Sequence, residues 1–261
     1  MTNHLTILLT LIGATLLNGP AAHEPHPEPA IAAVSPERPV KWSGAVAGPT
    51  RADLERALDK PLPYPWPMFD RKTKQRHEAR TCADLLALNS TCDPMDVDDE
   101  DVDSSPTELS DSDWNIYDEY LVKCRAVVAI QKAKPARLDY LGAFPLDNAR
   151  LDEIPAAVVP TPSDEEAKGL KKASARGISW KKWDRRIHVT KADHGGVTVE
   201  SSDTNCFLSV YGRGDFDGDG VEDLLLWRSG GGQEGTWGSS AGFVLTRRSP
   251  HGRVEIVKVI R

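Results

Sequence analysis

The most informative stretch of this sequence lies in its last quarter and reads Gly214-Asp215-Phe216-Asp217-Gly218-Asp219-Gly220-Val221-Glu222-Asp223-Leu224-Leu225-Leu226. Aspartates occupy alternate positions at Asp215, Asp217 and Asp219, and another follows at Asp223. Alternate residues of a tight loop can aim their side-chain oxygens at one centre, and Gly220 permits the sharp turn that such a loop needs. The stretch therefore predicts an acidic loop that leads into an apolar β-strand.

The spacing of these aspartates is typical of a calcium loop. Calcium takes about six to eight oxygen ligands at roughly 2.3–2.6 Å and tolerates irregular geometry. Without a cation the loop would crowd like charges, which is costly in a folded protein. Glu222 is expected to face solvent. The predicted Ca²⁺ ligands are four carboxylates and one backbone carbonyl, those of Asp215, Asp217, Asp219, Val221 (carbonyl) and Asp223.

The residues around this loop have the period-two apolar pattern of β-strands. From about Trp180 onward, two short alternating runs at residues 187–190 and 197–199 flank a glycine-rich turn, which predicts a hairpin. Further predicted strands are residues 206–211, 223–227, 242–246 and 254–260. Because the connections are short and rich in turn residues, an antiparallel sheet is expected.

A helical pattern precedes the strands. Apolar residues recur at spacings of three and four, which predicts one core-facing helix from near Asp113 to a point before Pro135. These residues are Trp114, Tyr117, Leu121, Cys124 and Val128. Thr81 is expected to cap a shorter helix. We therefore predict an α+β protein, with a helical N-terminal part followed by an antiparallel β-rich C-terminal domain that carries one EF-hand-like calcium loop.

The N-terminus has the composition of an export signal. Residues 5–17 are nearly all apolar, which is about the length of a signal-peptide core and shorter than a membrane span. We predict cleavage after Ala21, export to the periplasm or beyond, and no transmembrane segment. The predicted domains are a signal peptide (1–21), a Pro- and Ala-rich linker (22–67), a mainly helical part (68–160) and a β-rich calcium-binding domain (161–261).

Charge is unevenly distributed along the chain. The net charge is −7, but residues 93–113 contain ten acidic and no basic residues, and the remainder has 29 acidic against 32 basic residues. We interpret residues 93–113 as an acidic insert in a nearly neutral body. No basic stripe of the kind that binds nucleic acid is present in the sequence.

The cysteines favour disulfide bonds, because the chain has four of them and is predicted to be exported. Cys82, Cys92, Cys124 and Cys206 allow three pairings, and Cys82 with Cys92 would close the shortest loop. Free buried thiols are the alternative.

A glycine-rich segment after the calcium loop, residues 229–239, is the candidate recognition surface. It lacks the lysine of a phosphate-binding loop, and an aromatic anchor on a loop fixed at one end by calcium would bind a protein at low ordering cost. A flexible connection with an inward-packed tryptophan is the alternative. The predicted partner-binding residues are Tyr211, Arg213, Gly231, Gln233, Glu234 and Trp237.

The pattern Asp215-x-Asp217-x-Asp219-Gly220-x-x-Asp223 resembles the calcium loops of FG-GAP and VCBS repeats, dockerins and EF-hands. It differs from the EF-hand at its twelfth position, where Leu226 replaces a bidentate glutamate. The strand before the loop and the apolar run after it are closer to the β-rich families. The resemblance to FG-GAP repeats implies a surface module that binds polysaccharide or protein.

The layout of signal peptide, variable N-terminal part and β domain resembles the exported calcium-binding immunity proteins of Xanthomonas-type bacteria. The likeness covers about the last third of the chain and depends on the loop and on Leu224-Leu225-Leu226. It implies a protein that is not an enzyme and that inhibits a peptidoglycan hydrolase delivered by an antibacterial type IV secretion system. An FG-GAP-like surface module is the alternative, and a calcium-dependent hydrolase is the third hypothesis.

Overall fold

The computed structural model describes residues 36–95, 109–193, 195–233 and 237–261. The predicted signal peptide, the linker as far as residue 35 and residues 96–108 of the acidic insert lie outside this part of the chain. The described chain combines helices with antiparallel sheets, which confirms the α+β class. None of the helices in these ranges is long and apolar enough to cross a membrane.

Two antiparallel sheets contain the strands. The strands are β1 (Lys41–Trp42), β2 (Pro61–Asp70), β3 (Gln75–Thr81), β4 (Cys92–Pro94), β5 (His188–Asp193), β6 (Gly196–Glu200), β7 (Thr204–Gly214), β8 (Asp223–Gly232), β9 (Gly238–Thr246) and β10 (Glu255–Ile260). The α-helices are α1 (Gly44–Ala47), α2 (Arg51–Glu55), α3 (Cys82–Leu88), α4 (Asp111–Lys132), α5 (Asp164–Ala175) and α6 (Trp180–Trp183). Short 3₁₀ turns cover Ala57–Asp59, Arg150–Asp152 and Ala156–Val158.

The larger sheet has the order β10-β9-β8-β7-β6-β5, with β1 paired to one end of β7. Its central strand β8 begins with a run of residues that are all buried, which fits a strand covered on both faces. Leu224 and Leu226 pack on one face, whereas Leu225 and Trp227 pack on the other, as the period-two geometry of a strand requires. The predicted strands at residues 206–211, 223–227 and 242–246 are therefore the interior of this sheet.

Each face of the sheet is covered by a different part of the chain. On one face α4 packs across β7, β9 and β10, with Val122, Ala126 and Ile130 against the sheet. On the other face the irregular segment between α4 and α5 contributes buried side chains, among them Leu151 and Ile154. Residues 68–160 and 161–261 thus share cores, so the predicted boundary at residue 160 does not separate two packed bodies.

Regular secondary structure begins earlier in the chain than the sequence pattern predicted, and so does α4. Within the predicted linker, the described residues from 36 onward include β1, α1, α2 and most of β2. Ser110, not Asp113, caps α4, and its side chain accepts a hydrogen bond from the Asp113 amide. Trp114, predicted to lie in the core, is 51% exposed and stacks on Tyr117. The apolar stripe is correct at Tyr117 and Leu121, which are buried.

The smaller sheet, of order β3-β2-β4, packs with α3 and α4 around a separate cluster that includes Trp66, Met68 and Leu85. As predicted, Thr81 caps α3, and with Asp84 it forms a reciprocal capping box.

A disulfide bond between Cys82 and Cys124 joins the N-terminus of α3 to the middle of α4. Cys92 and Cys206 are free and buried, so the shortest loop, from Cys82 to Cys92, is not the one that is closed. The bond spans 42 residues of sequence, including the acidic insert.

Removal of this disulfide is expected to destabilise the protein by about 4 kcal/mol, because a cross-link of this span restricts the unfolded chain. Urea denaturation of the Cys82→Ala/Cys124→Ala variant measures the loss. A reducing agent should lower the melting temperature of the wild type and leave that of the double variant unchanged. An equal shift in both proteins would show that reduction acts elsewhere.

Candidate metal centre

The acidic loop connects two neighbouring strands at the centre of the large sheet. Gly214 is the last residue of β7, and it pairs with Asp223, the first residue of β8. Residues 215–222 therefore form the turn between the two strands. Gly218 and Gly220 have φ angles of +90° and +83°, a region that residues with side chains rarely adopt. The prediction that Gly220 permits the turn is confirmed, and Gly218 has the same role.

The segment that follows α4 supports this loop from outside. The backbones of Lys134 and Asp215 exchange two hydrogen bonds of 2.8 and 2.9 Å. The Gly220 carbonyl accepts hydrogen bonds from the amides of Arg137 and Leu138 at 2.9 and 3.2 Å. The segment after α4 thus fixes the loop by backbone hydrogen bonds. These residues are distant in sequence, so no local motif predicts the contact.

Three carboxylates of the loop converge. Oxygens of Asp215, Asp217 and Asp223 lie within 4.8 Å of one another, close enough to share one cation. Asp215 is 5% exposed and Asp223 is fully buried, whereas Asp217 lies at the surface. The two buried carboxylates form the floor of the site and the exposed one forms its rim.

Backbone amides orient the two buried carboxylates. Asp215 accepts hydrogen bonds from the amides of Gly218 at 2.6 Å and Gly220 at 3.1 Å, one on each oxygen. The Oδ2 atom of Asp223 accepts from the Phe216 amide at 2.9 Å. The Oδ1 atom of Asp223 is buried without a hydrogen bond of normal geometry among the described residues, and so is the hydroxyl of Thr246, which interacts with this carboxylate. A buried oxygen without a well-formed hydrogen bond costs free energy, and a cation at this position would satisfy it.

The charge on Asp223 is unfavourable in this environment. Burial raises its pKa to about 6, with a smaller contribution from the negative charges of Asp217 and Asp219, while the Thr246 hydroxyl and the Phe216 amide lower it. A positive charge in the loop would remove the repulsion and favour the ionised form.

Two of the five predicted ligands are not part of this group. Asp219 directs Oδ1 to the Val221 amide at 2.8 Å and Oδ2 to the Arg248 guanidinium at 3.2 Å. Val221 is buried and forms a parallel bridge with Leu138. The structure therefore brings together Asp215, Asp217 and Asp223, and metal ligation by all five residues stays a prediction.

Arg248 contacts the acidic loop in a way that the sequence does not reveal. It lies between β9 and β10, and its guanidinium contacts Asp217 at 2.9 Å as well as Asp219, with Glu255 at 3.5 Å. About 30 residues separate it from the loop, and an arginine in a turn carries no signal of such a contact. Its positive charge partly neutralises the rim of the site.

The expectation that Glu222 faces solvent is wrong. Its side chain is 5% exposed and accepts a hydrogen bond from Arg213 at 3.0 Å. The same guanidinium donates to the carbonyls of Gly142 and Ala143 at 2.7 and 2.6 Å. Arg213 thus fastens a crossing segment to the sheet, and its role on a partner surface stays a prediction.

Tyr211, another predicted partner-binding residue, has almost no exposed surface for a partner to contact. It is buried and stacks on Trp227, with ring centroids 5.1 Å apart and nearly parallel planes. It belongs to the core cluster between the large sheet and α4.

The other predicted partner-binding residues that the structure describes lie at the far end of β8. Gly231 pairs with Gly238, Gln233 is exposed, Trp237 is half-buried, and Glu234 lies outside the described residues. Because β8 runs from Asp223 to Gly232, this connection is separated from the acidic loop by about 30 Å of extended strand. A cation in the loop would not fix these residues directly, which corrects the expected link between the metal and the recognition surface.

No family model matches this chain, and neither a curated protein nor a solved structure matches it.

Proposed function

We propose that the loop of residues 215–223 binds one Ca²⁺ and that this ion stabilises the large sheet. The buried Oδ1 atom of Asp223 supports the proposal, together with the convergence of the Asp215, Asp217 and Asp223 carboxylates, which have oxygens within 4.8 Å of one another. Oxygen donors on an irregular loop suit calcium, because magnesium demands a near-octahedral geometry and keeps several waters. Asp215 and Asp217 complete the carboxylate set, and Asp219 would join it only after leaving Arg248.

We further propose that the protein is an exported binding protein and not an enzyme, and that it inhibits a peptidoglycan hydrolase. The support for this biology is the resemblance of its layout to calcium-binding immunity proteins. Both faces of the large sheet are covered, so a partner must be recognised by loops and edges. Of the predicted partner residues, Gln233 and Trp237 remain on an accessible connection. Calcium would then stabilise the scaffold while this distant connection contacts the enzyme.

Calcium is expected to raise the melting temperature of the wild type. If the affinity lies in the range of extracellular modules, about 10⁻⁴–10⁻³ M, 1 mM Ca²⁺ adds roughly 0.4–1.4 kcal/mol. Asp217→Asn should abolish most of this response, because it removes the exposed ligand without opening the core. Asp203→Asn is the matched control, since it makes the same change at an exposed carboxylate at the other end of β7. A calcium response that persists in Asp217→Asn, or is absent in the wild type, would contradict the site.

Arg248→Met is expected to strengthen calcium binding about three- to tenfold, because the guanidinium competes with the ion for Asp217 and Asp219. Isothermal titration calorimetry measures the change. Arg253→Met is the control, because this substitution removes the same charge from the same turn. Arg253 contacts Glu255 and not the acidic loop. Weaker binding by Arg248→Met would show that the arginine supports the site and does not compete with the ion.

The partner proposal is tested by capture from an envelope extract followed by an assay of muramidase inhibition. Trp237→Ala should weaken inhibition at least about tenfold, as expected for an aromatic anchor, while the melting temperature shows that the fold is retained. Trp183→Ala is the control, because Trp183 is also accessible, at 51% exposure, and lies outside this connection. If the wild type neither binds nor inhibits a hydrolase, the inhibitor proposal is wrong and the calcium site is unaffected.

A further inference from the structure

The three-stranded sheet brings together a second group of possible metal ligands, of different chemistry from the acidic loop. A carboxylate oxygen of Asp70, a ring nitrogen of His77 and the sulfur of Cys92 lie within 4.8 Å of one another. These residues come from three different strands, β2, β3 and β4, and from positions that no spacing in the sequence connects.

The register of the sheet explains why the three side chains meet. Asp70 is directly opposite Cys92 on β4, and Met68 is directly opposite His77 on β3. Paired residues of neighbouring strands project to the same face, as do residues two apart on one strand. Asp70, His77 and Cys92 therefore project from one face, where Met68 and Cys92 are buried.

Asp70 is held in a fixed orientation. Its Oδ1 atom accepts hydrogen bonds from the amides of Lys72 and Thr73, at 2.7 and 3.1 Å, in the turn between β2 and β3. These bonds use one oxygen of the carboxylate and leave the second for a ligand. The buried position of Cys92 and its place in a strand similarly limit the movement of its sulfur.

The two free thiols of the chain differ in their surroundings. Cys206 lies in the core of the large sheet among apolar side chains, and burial raises its pKa to about 12. Cys92 also belongs to an apolar cluster, but its sulfur contacts the Thr91 hydroxyl at 3.6 Å and lies beside an imidazole and a carboxylate. Cys206 is therefore an apolar core residue, whereas Cys92 belongs to a group that offers one sulfur, one nitrogen and one oxygen donor.

We propose that Asp70, His77 and Cys92 form a metal site for Zn²⁺. Thiolate, imidazole and carboxylate are the donors that zinc takes in proteins, whereas calcium takes oxygen alone. Three protein ligands leave the fourth tetrahedral position for water or another ligand. The ion would tie β4, which has only three residues, to the other two strands of the sheet. The proposal is independent of calcium binding at residues 215–223.

The first test uses Co²⁺ as a spectroscopic substitute for zinc in the metal-free full chain. The disulfide is kept intact, and no thiol reductant is added to the buffer. One equivalent of Co²⁺ should produce the charge-transfer absorption of a cobalt thiolate, and Zn²⁺ should abolish it by displacement. Cys92→Ser should lose the band, and His77→Gln should weaken Co²⁺ binding by at least about tenfold. Absence of the band in the wild type, or its persistence in Cys92→Ser, would overturn the proposal.

Two variants serve as controls for this test. His188→Gln removes a histidine at the edge of the large sheet and should leave the band unchanged. Asp217→Asn alters the acidic loop and should also leave it unchanged, which separates the two metal sites. Loss of the band in either control would place the cobalt elsewhere and overturn the assignment.

A second measurement on the wild type does not depend on the folding of a variant. Mass spectrometry follows alkylation of the two free thiols with and without Zn²⁺. Zinc should slow the modification of Cys92 and leave that of Cys206 unchanged, because only the first is a ligand. Equal rates for Cys92 in both conditions would overturn the proposal.

Discussion

The buried carboxylate of Asp223 begins the same strand that carries the leucines of both cores, and this connection constrains the rest of the structure. Leu224 packs on one face of the sheet and Leu225 on the other, so the carboxylate cannot reach water without withdrawing both. Burial of each leucine contributes about 1.5–3 kcal/mol, and burial of a carboxylate costs several kcal/mol. Because these effects are similar in size, neutralisation of the carboxylate determines how firmly the central strand is held.

Two kinds of positive charge could neutralise the loop: the Arg248 side chain and the proposed cation. The Arg248 guanidinium contacts the rim carboxylates Asp217 and Asp219 but leaves the Oδ1 atom of Asp223 without a hydrogen bond of normal geometry. A divalent cation can approach all three converging carboxylates, because their oxygens lie within 4.8 Å of one another. Arginine therefore suits the exposed part of the charge, and a metal ion suits the buried part. Occupation of the loop also bears on β9 and β10, since Arg248 lies in the turn between these strands.

Local patterns predicted the strands β5 to β10 and the helices α3 and α4, because the forces that form them act over few residues. They did not predict β1 or the smaller sheet, which lie in regions predicted to be a linker and mainly helical. The period-two runs found the strands of the large sheet, and Thr81 was correctly predicted to cap α3. The acidic loop was found because its carboxylates and glycines are neighbours in sequence. Contacts between distant residues were not accessible in this way. The burial of Glu222 was missed, because it depends on Arg213 and on the crossing segment that Arg213 also contacts. The Cys82–Cys124 disulfide was missed because it requires the packing of α3 on α4.

The length of β8 separates two kinds of change that the chain can tolerate. At the Asp223 end, residues are tied to both cores and to the loop carboxylates, so most substitutions there would affect folding. At the Gly232 end, the strand continues into a connection that is partly exposed. Substitutions or insertions at that end would alter the surface while the interior stays intact. The fold thus separates a surface that can change from an interior that cannot.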